Sequence, residues 1–190
     1  MFGDSLSAAY GIAERRGWVA LLGEHLRQER LDYSVVNASI SGEITSGGRS
    51  RLGKLLAQHK PAVLILELGA NDGLRGLPVG EMKKNLAAII TLAQKSGARV
   101  LLVGVRMPPN YGEDYTRAFE AAFSDLAREH RTAFTPELTA GIGERLDYFQ
   151  PDRIHPNEAA QPLLLENVWK TLRPLLQARA GGKPAAVPRK

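Results

Sequence analysis

The chain contains no cysteine, which excludes disulfides, thiolate metal sites and a cysteine nucleophile. It also lacks any apolar run near the roughly 18 residues of a membrane span, so no stable membrane insertion is expected. Histidine is scarce. The chain has four, and no two stand at the spacing of a zinc site, so no metal is expected. The glycine-bearing first loop, Gly3-Asp-Ser-Leu-Ser7, has neither the lysine of a P-loop nor the second and third glycines of a dinucleotide fingerprint. Acids are missing from Arg173 onward. There Arg173, Arg179, Lys183, Arg189 and Lys190 account for the whole formal charge of +5. The basic balance therefore belongs to the end of the chain, and no nucleic-acid partner is expected. Residues 179–190, rich in Gly, Pro and Ala, should form a basic disordered tail.

What remains is ordinary for one globular domain, expected over residues 1–178. The length of 190 residues supports one substantial core, and 44% hydrophobic with 24% charged residues suits a globular chain. Strand and helix patterns alternate. Residues 33–38, 62–68 and 99–105 read as strands, the last two as near-continuous apolar runs of the kind covered on both faces. Helical spacing sets Trp18, Leu21, Leu22 and Leu26 on one stripe, and Leu52, Leu55 and Leu56 on another. Further stripes are Met82, Leu86, Ile89, Ile90 and Ala93, then Tyr115, Phe119, Phe123 and Leu126, then Leu164, Val168, Leu172 and Leu175. Pro156 suits the first turn of that last helix. The alternation predicts an α/β fold, a three-layer α/β/α sandwich around a central parallel sheet with right-handed crossovers.

In such sheets ligands bind at the carboxyl ends of the strands, and the chemically capable residues fall there. Ser5 follows the first strand, Gly42 the second and Asn71 the third, while Asp152 and His155 precede the final helix. Each has a plain structural alternative. Ser5 could cap a following helix, Gly42 and Asn71 could be turn residues, and Asp152 or His155 could cap the last helix. Asp4 is expected to hold the turn. The functional reading makes Ser5 a nucleophile, His155 its general base and Asp152 the group fixing the imidazole tautomer. The Gly42 N–H and the Asn71 amide would then face a developing oxyanion. His25, His59 and His130, at helix ends among polar neighbours, are expected at the surface.

Four ordered blocks now carry a resemblance: Gly3-Asp-Ser-Leu-Ser-Ala-Ala-Tyr10, Val36-Asn-Ala-Ser-Ile-Ser-Gly42, Glu67-Leu-Gly-Ala-Asn-Asp-Gly-Leu-Arg-Gly76 and Asp152-Arg-Ile-His-Pro-Asn157. Together they are similar to the SGNH (GDSL) hydrolase family. Met107-Pro-Pro-Asn-Tyr-Gly112 resembles a further segment of its bacterial multifunctional thioesterase I/lysophospholipase/arylesterase subgroup. The resemblance implies a flavodoxin-like fold, with Ser5, Asp152 and His155 catalytic and Ser5, Gly42 and Asn71 forming the oxyanion hole. It also implies that Gly73, Leu74, Arg75, Gly76, Leu77 and Pro78 resemble a mobile loop beside the acyl chain, with Met107 and Pro108 as further substrate contacts. No cofactor is expected, the partner is a small acyl ester or thioester, and a monomer is expected.

Family members have a longer apolar strand before Gly-Asp-Ser, where this chain has Met1-Phe2. The first strand is therefore expected to be largely missing. The natural product is expected to begin further upstream, and if that part includes a secretory signal the protein is periplasmic; the chain itself carries no signal. Two rivals stand beside this reading: a short-chain carbohydrate-ester deacetylase with the same machinery, and a non-catalytic α/β binding module.

Overall fold

The computed structural model describes residues 1–143 and 145–177. The tail expected over 179–190, and the end of the domain range at 178, lie outside the described residues. Chain order is β1 (Phe2–Gly3), α1 (Trp18–Gln28), α2 (Thr45–His59), β2 (Val63–Glu67), α3 (Ala70–Leu74), α4 (Val79–Lys95), β3 (Arg99–Val103), α5 (Glu113–His130), β4 (Ala133–Thr135) and α6 (Gln161–Gln177). The strands form one parallel sheet in the order β1-β2-β3-β4.

Side-chain alternation along β2 and β3 builds the three layers. Leu64, Leu66, Val100 and Leu102 join one core with Leu52 and Leu56 of α2, the α4 stripe and Phe119, Phe123 and Leu126 of α5. Ile65, Leu101 and Val103 point the other way, into a core with Trp18, Leu22 and Leu26 of α1 and Leu164, Val168 and Leu172 of α6. A sheet buried on both faces needs continuous apolar runs, as β2 and β3 supply. The α/β/α sandwich with a parallel sheet is the observed fold.

Several details depart from expectation. Residues 33–38 are not a strand. The segment runs extended beside β1, with Met1 N donating to Val36 O at 2.6 Å, Ala38 N to Met1 O at 2.9 Å and Ile40 N to Gly3 O at 3.0 Å. The strand it runs beside is the two-residue β1, too short for a ladder. The three-residue β4 went unanticipated. Leu176 rather than Leu175 is the buried residue ending the α6 stripe. Pro156 lies before α6, not in its first turn. Asn157 caps the approach, its side chain accepting from Ala159 N and Ala160 N before a 3-10 turn at Glu158–Ala160. His59 is exposed, but His25 is half-buried, its ring edge-on to Trp169 with centroids 4.4 Å apart.

Candidate active site

β1 ends at Gly3, and the chain turns at once. No helix follows Ser5, so the alternative role as a helix cap does not arise. Residues 4–10 form successive turns in which Asp4 O accepts from Ser7 N and Ala8 N, and Asp4 Oδ1 accepts from Leu6 N at 3.0 Å. Asp4 therefore holds the turn, as expected. Ser5 stands at its crest.

The loop 147–157 brings the other two residues to it. Gln150 N donates to His155 O and Asn157 N to Tyr148 O, which folds the segment back on itself. Asn157 Nδ2 donates to Asp147 O at 2.7 Å, and Gln150 Nε2 reaches Tyr10 O at 2.7 Å, tying this loop to the Ser5 turn. Asp152 Oδ1 accepts from the backbone N–H groups of Ile154 and His155 at 2.9 and 3.0 Å. Its other oxygen, Oδ2, lies 2.7 Å from His155 Nδ1. His155 Nε2 lies 2.9 Å from Ser5 Oγ. Neither Asp152 nor His155 caps α6.

This geometry separates roles by atom. Asp152 spends one oxygen on the backbone, which fixes the carboxylate, and presents the other to the imidazole. Desolvation opposes its ionisation, but the His155 N–H, the imidazole and the Ile154 N–H outweigh it and hold its pKa down at about 2. A permanent anion at Nδ1 keeps the proton there and leaves Nε2 free to accept one from Ser5. Tyr10 lies against the imidazole, with ring centroids 4.4 Å apart.

Gly42 and Asn71 are tied to the same turn: Ile40 N, two residues before Gly42, donates to Gly3 O at 3.0 Å, and Asn71 reaches Asp4. Gly42 has φ +79°, which glycine adopts without strain. The backbone N–H groups of Ser5 and Gly42 donate to no protein acceptor among the described residues, as suits donors kept for a ligand. Asn71 lies in α3 and donates one amide hydrogen to Asp4 Oδ2 at 3.2 Å. The neighbouring Asp72, buried, clamps the start of α2: its two oxygens accept from Thr45 N at 2.8 Å and Thr45 Oγ1 at 2.6 Å. The segments bearing Gly42 and Asn71 are thereby joined. Sequence reasoning missed the clamps made by Asp72, Gln150 and Asn157.

The expected 73–78 loop is not one piece. Gly73 and Leu74 belong to α3, and Gly73 is a packing glycine: a β-carbon there would lie 2.5 Å from Met107 Sδ and 2.8 Å from the Phe119 ring. Met107 is correspondingly buried under it, whereas Pro108 is exposed. Arg75 closes the helix and donates through Nη2 to Gly42 O at 3.0 Å. Gly76, with φ +62° and open space around it, is the true turn glycine. The stretch is clipped from behind, since the Tyr111 hydroxyl donates to Leu74 O and that of Tyr115 to Leu77 O, each at 2.9 Å. An apolar groove lined by Met1, Val36, Leu55, His59 and Pro61 opens at the amino ends of the strands, away from Ser5.

A model described as the GDSL-like Lipase/Acylhydrolase family matches residues 1–162. The chain belongs to that family. It is an acyl hydrolase. The chain is 51% identical over 174 residues to Esterase TesA of Pseudomonas aeruginosa, an alignment covering 92% of this chain and 87% of that one. It is 39% identical over 176 residues to Thioesterase 1/protease 1/lysophospholipase L1 of Escherichia coli, covering 93% and 83%. The solved structure of the psychrotrophic esterase EstA from Pseudoalteromonas, inhibited by monoethylphosphonate, superposes with a TM-score of 0.89 at 39% identity, covering 93% of this chain and 96% of that one. Among the described residues no helix is long and apolar enough to cross a membrane.

Proposed function

We propose that the chain hydrolyses acyl esters and thioesters through an acyl-serine intermediate on Ser5, with His155 as general base and acid and Asp152 as the residue that orients it. The observation that carries this is the continuous relay from Ser5 Oγ through His155 to Asp152, at 2.9 and 2.7 Å. In the first half-reaction His155 Nε2 takes the hydroxyl proton as Ser5 Oγ attacks the acyl carbon. The tetrahedral oxyanion accepts from the Ser5 N–H, the Gly42 N–H and the free hydrogen of the Asn71 amide. His155 then gives its proton to the departing alkoxide or thiolate. Water repeats the attack on the acyl-serine, the proton returns to Ser5 Oγ through His155, and the free carboxylic acid leaves. The cycle balances with water as the only co-reactant.

Apolar side chains left exposed around the site support an acyl chain longer than acetyl. Tyr10, Ile40 and Ile154 are 50%, 49% and 51% exposed, and they stand beside His155 and Gly42 in contact or in sequence. Exposed apolar surface gathered at one place marks a binding surface. Arg75, Gly76, Leu77, Pro78 and the exposed Pro108 complete the proposed acyl side, with Leu74, Gly73 and the buried Met107 packed behind them. Each added methylene is expected to raise kcat/KM about fourfold, from about 0.8 kcal/mol per buried methylene, until the groove is filled. A p-nitrophenyl ester series measures this, and a maximum at acetate would favour the deacetylase instead.

A fluorophosphonate tests the nucleophile directly. Intact-mass analysis should show one adduct, mapped to Ser5. No adduct in a cooperatively folded protein would leave the binding-module reading. Asn71→Ala is expected to lower kcat by ~10²–10³, the usual cost of one oxyanion donor, with KM little changed in steady-state assays. A periplasmic location and a monomeric state complete the proposal. Cell fractionation and sedimentation check them.

A further inference from the structure

Beneath the nucleophile turn lies a pair of acids that the reaction above does not use. Asp4 and Glu67 are both fully buried. They sit side by side because Gly3 faces Glu67 in the β1–β2 register. Gly3 must be glycine for this, since a β-carbon there would lie 2.7 Å from Glu67 Oε2 and 2.8 Å from the Glu67 carbonyl oxygen. The missing side chain is the space in which the Glu67 carboxyl is seated.

The hydrogen bonds of the two acids differ in kind. Asp4 is an acceptor at both oxygens, from Leu6 N at 3.0 Å and from Asn71 Nδ2 at 3.2 Å. Glu67 Oε2 accepts from the Ser7 hydroxyl at 2.7 Å and lies 3.5 Å from Asp4 N. Glu67 Oε1 is buried and receives no donor among the described residues. Neither acid has a cation among these partners. Two dry carboxylates without a counter-ion repel each other and forfeit their hydration. One proton removes the conflict, and the oxygen with no donor is where it fits.

We propose that Glu67 is a positioning residue held as a neutral carboxylic acid, donating to Asp4 so that Asp4 stays the acceptor that aims the Asn71 amide at the oxyanion. The inference rests on the reading of Asn71 as an oxyanion donor. The Glu67 carboxyl lies against Asp4, with Oε2 3.5 Å from Asp4 N; burial first, then the Asp4 charge, push it well above the usual range. Burial also raises Asp4, to about 6, against the pull of the Leu6 N–H, His155 and the Asn71 amide. The pair therefore carries one negative charge at neutral pH, on the residue that faces Asn71. One hydrogen of the Asn71 amide is committed to that anion, and this leaves the other with a single direction. The bond is charge-assisted, which makes it stiffer than a bond between neutral groups.

Glu67→Leu fills the site without a donor, and Glu67→Gln restores a donor toward Asp4 and an acceptor for Ser7. In the leucine variant kcat should fall by about tenfold or more, a share of the ~10²–10³ that a lost oxyanion donor costs, with KM little changed. The glutamine variant should recover most of that loss. In an Asn71→Ala background the leucine change should cost little further, because Glu67 acts through Asn71. Infrared difference spectra of the whole protein at neutral pH should show a protonated carboxyl band that Glu67→Gln removes, a readout that needs no variant to be active. A missing band in the unaltered protein would overturn the proposal. So would a glutamine variant as slow as the leucine one while melting normally, or an undiminished leucine effect in the Asn71→Ala background. Failure of the Asn71 reading shows separately, as full activity in Asn71→Ala alone.

Discussion

Ser5→Ala is expected to lower kcat by about 10⁶-fold, because the groups of a serine triad act as a unit and the loss of the nucleophile removes the whole covalent route. The effect should be on chemistry alone. Among the described residues the Ser5 side chain's one hydrogen-bond partner is His155 Nε2, so the alanine variant loses no bond that holds the fold, and its melting temperature should stay close to the parent's. The turn beneath it is set by Asp4, which accepts from Leu6 N whatever stands at position 5. KM should change little, since the acyl side of the site is untouched. Residual turnover above the uncatalysed rate is expected, from the Ser5, Gly42 and Asn71 donors acting on a directly attacking water. Adding His155→Ala to Ser5→Ala should cost almost nothing more, because a base without a nucleophile has nothing to deprotonate. Burst kinetics with a p-nitrophenyl ester separate the cases: the parent shows an acyl-enzyme burst and the variant none. A loss of less than about tenfold, with the phosphonate adduct still forming elsewhere, would move the nucleophile off Ser5.

How far these residues could be read from the sequence depended on whether their chemistry was local. β2 and β3 were legible because strands covered on both faces must be apolar throughout, and the helical stripes because each buries one face. Ser5, Asp152 and His155 were legible as motif residues, and the parallel topology placed them on one rim. The failures have physical causes. Residues 33–36 alternate half-buried and exposed as an edge strand should, but strand formation needs a partner of matching length, and β1 offers two residues. β4 is three residues long, below the length at which alternation can be recognised. Gly73 read as part of a mobile loop because its packing against Met107 and Phe119 comes from segments more than thirty positions away. Glu67 lay inside the apolar run 62–68 and drew no reading of its own. Its actual state depends on Asp4, a neighbour across the sheet. One signal was present: an acid closing an apolar run, with a second acid just after the glycine that pairs with it.

The same reasoning about which oxygen does what predicts the second large effect, a fall of about 10⁴ in kcat for Asp152→Asn. Asp152 Oδ1 is taken by the backbone N–H groups of Ile154 and His155. An asparagine must put its carbonyl oxygen there, because an amide NH₂ would face two donors. The NH₂ then occupies the Oδ2 position, 2.7 Å from His155 Nδ1, and forces that nitrogen to accept. The proton moves to Nε2, which now points an N–H at Ser5 and can remove nothing from it. The variant should therefore keep its fold and bind substrate with nearly the parent KM while kcat collapses. Fluorophosphonate labelling should slow in step. Acid stability should respond with the opposite emphasis. Asp152 is held at about 2 against an ordinary 3.8, so it contributes stability that is present above pH 3.8 and lost as the pH falls through about 2. Its side chain is 38% exposed, so solvent screens that contribution and it should be small. Thermal melts from pH 5 down to 2 should show the parent losing slightly more stability than the asparagine variant, while assays at pH 7 show the large kinetic difference. A kcat within about tenfold of the parent in a well-folded Asp152→Asn protein would mean that the imidazole is oriented by something other than this carboxylate.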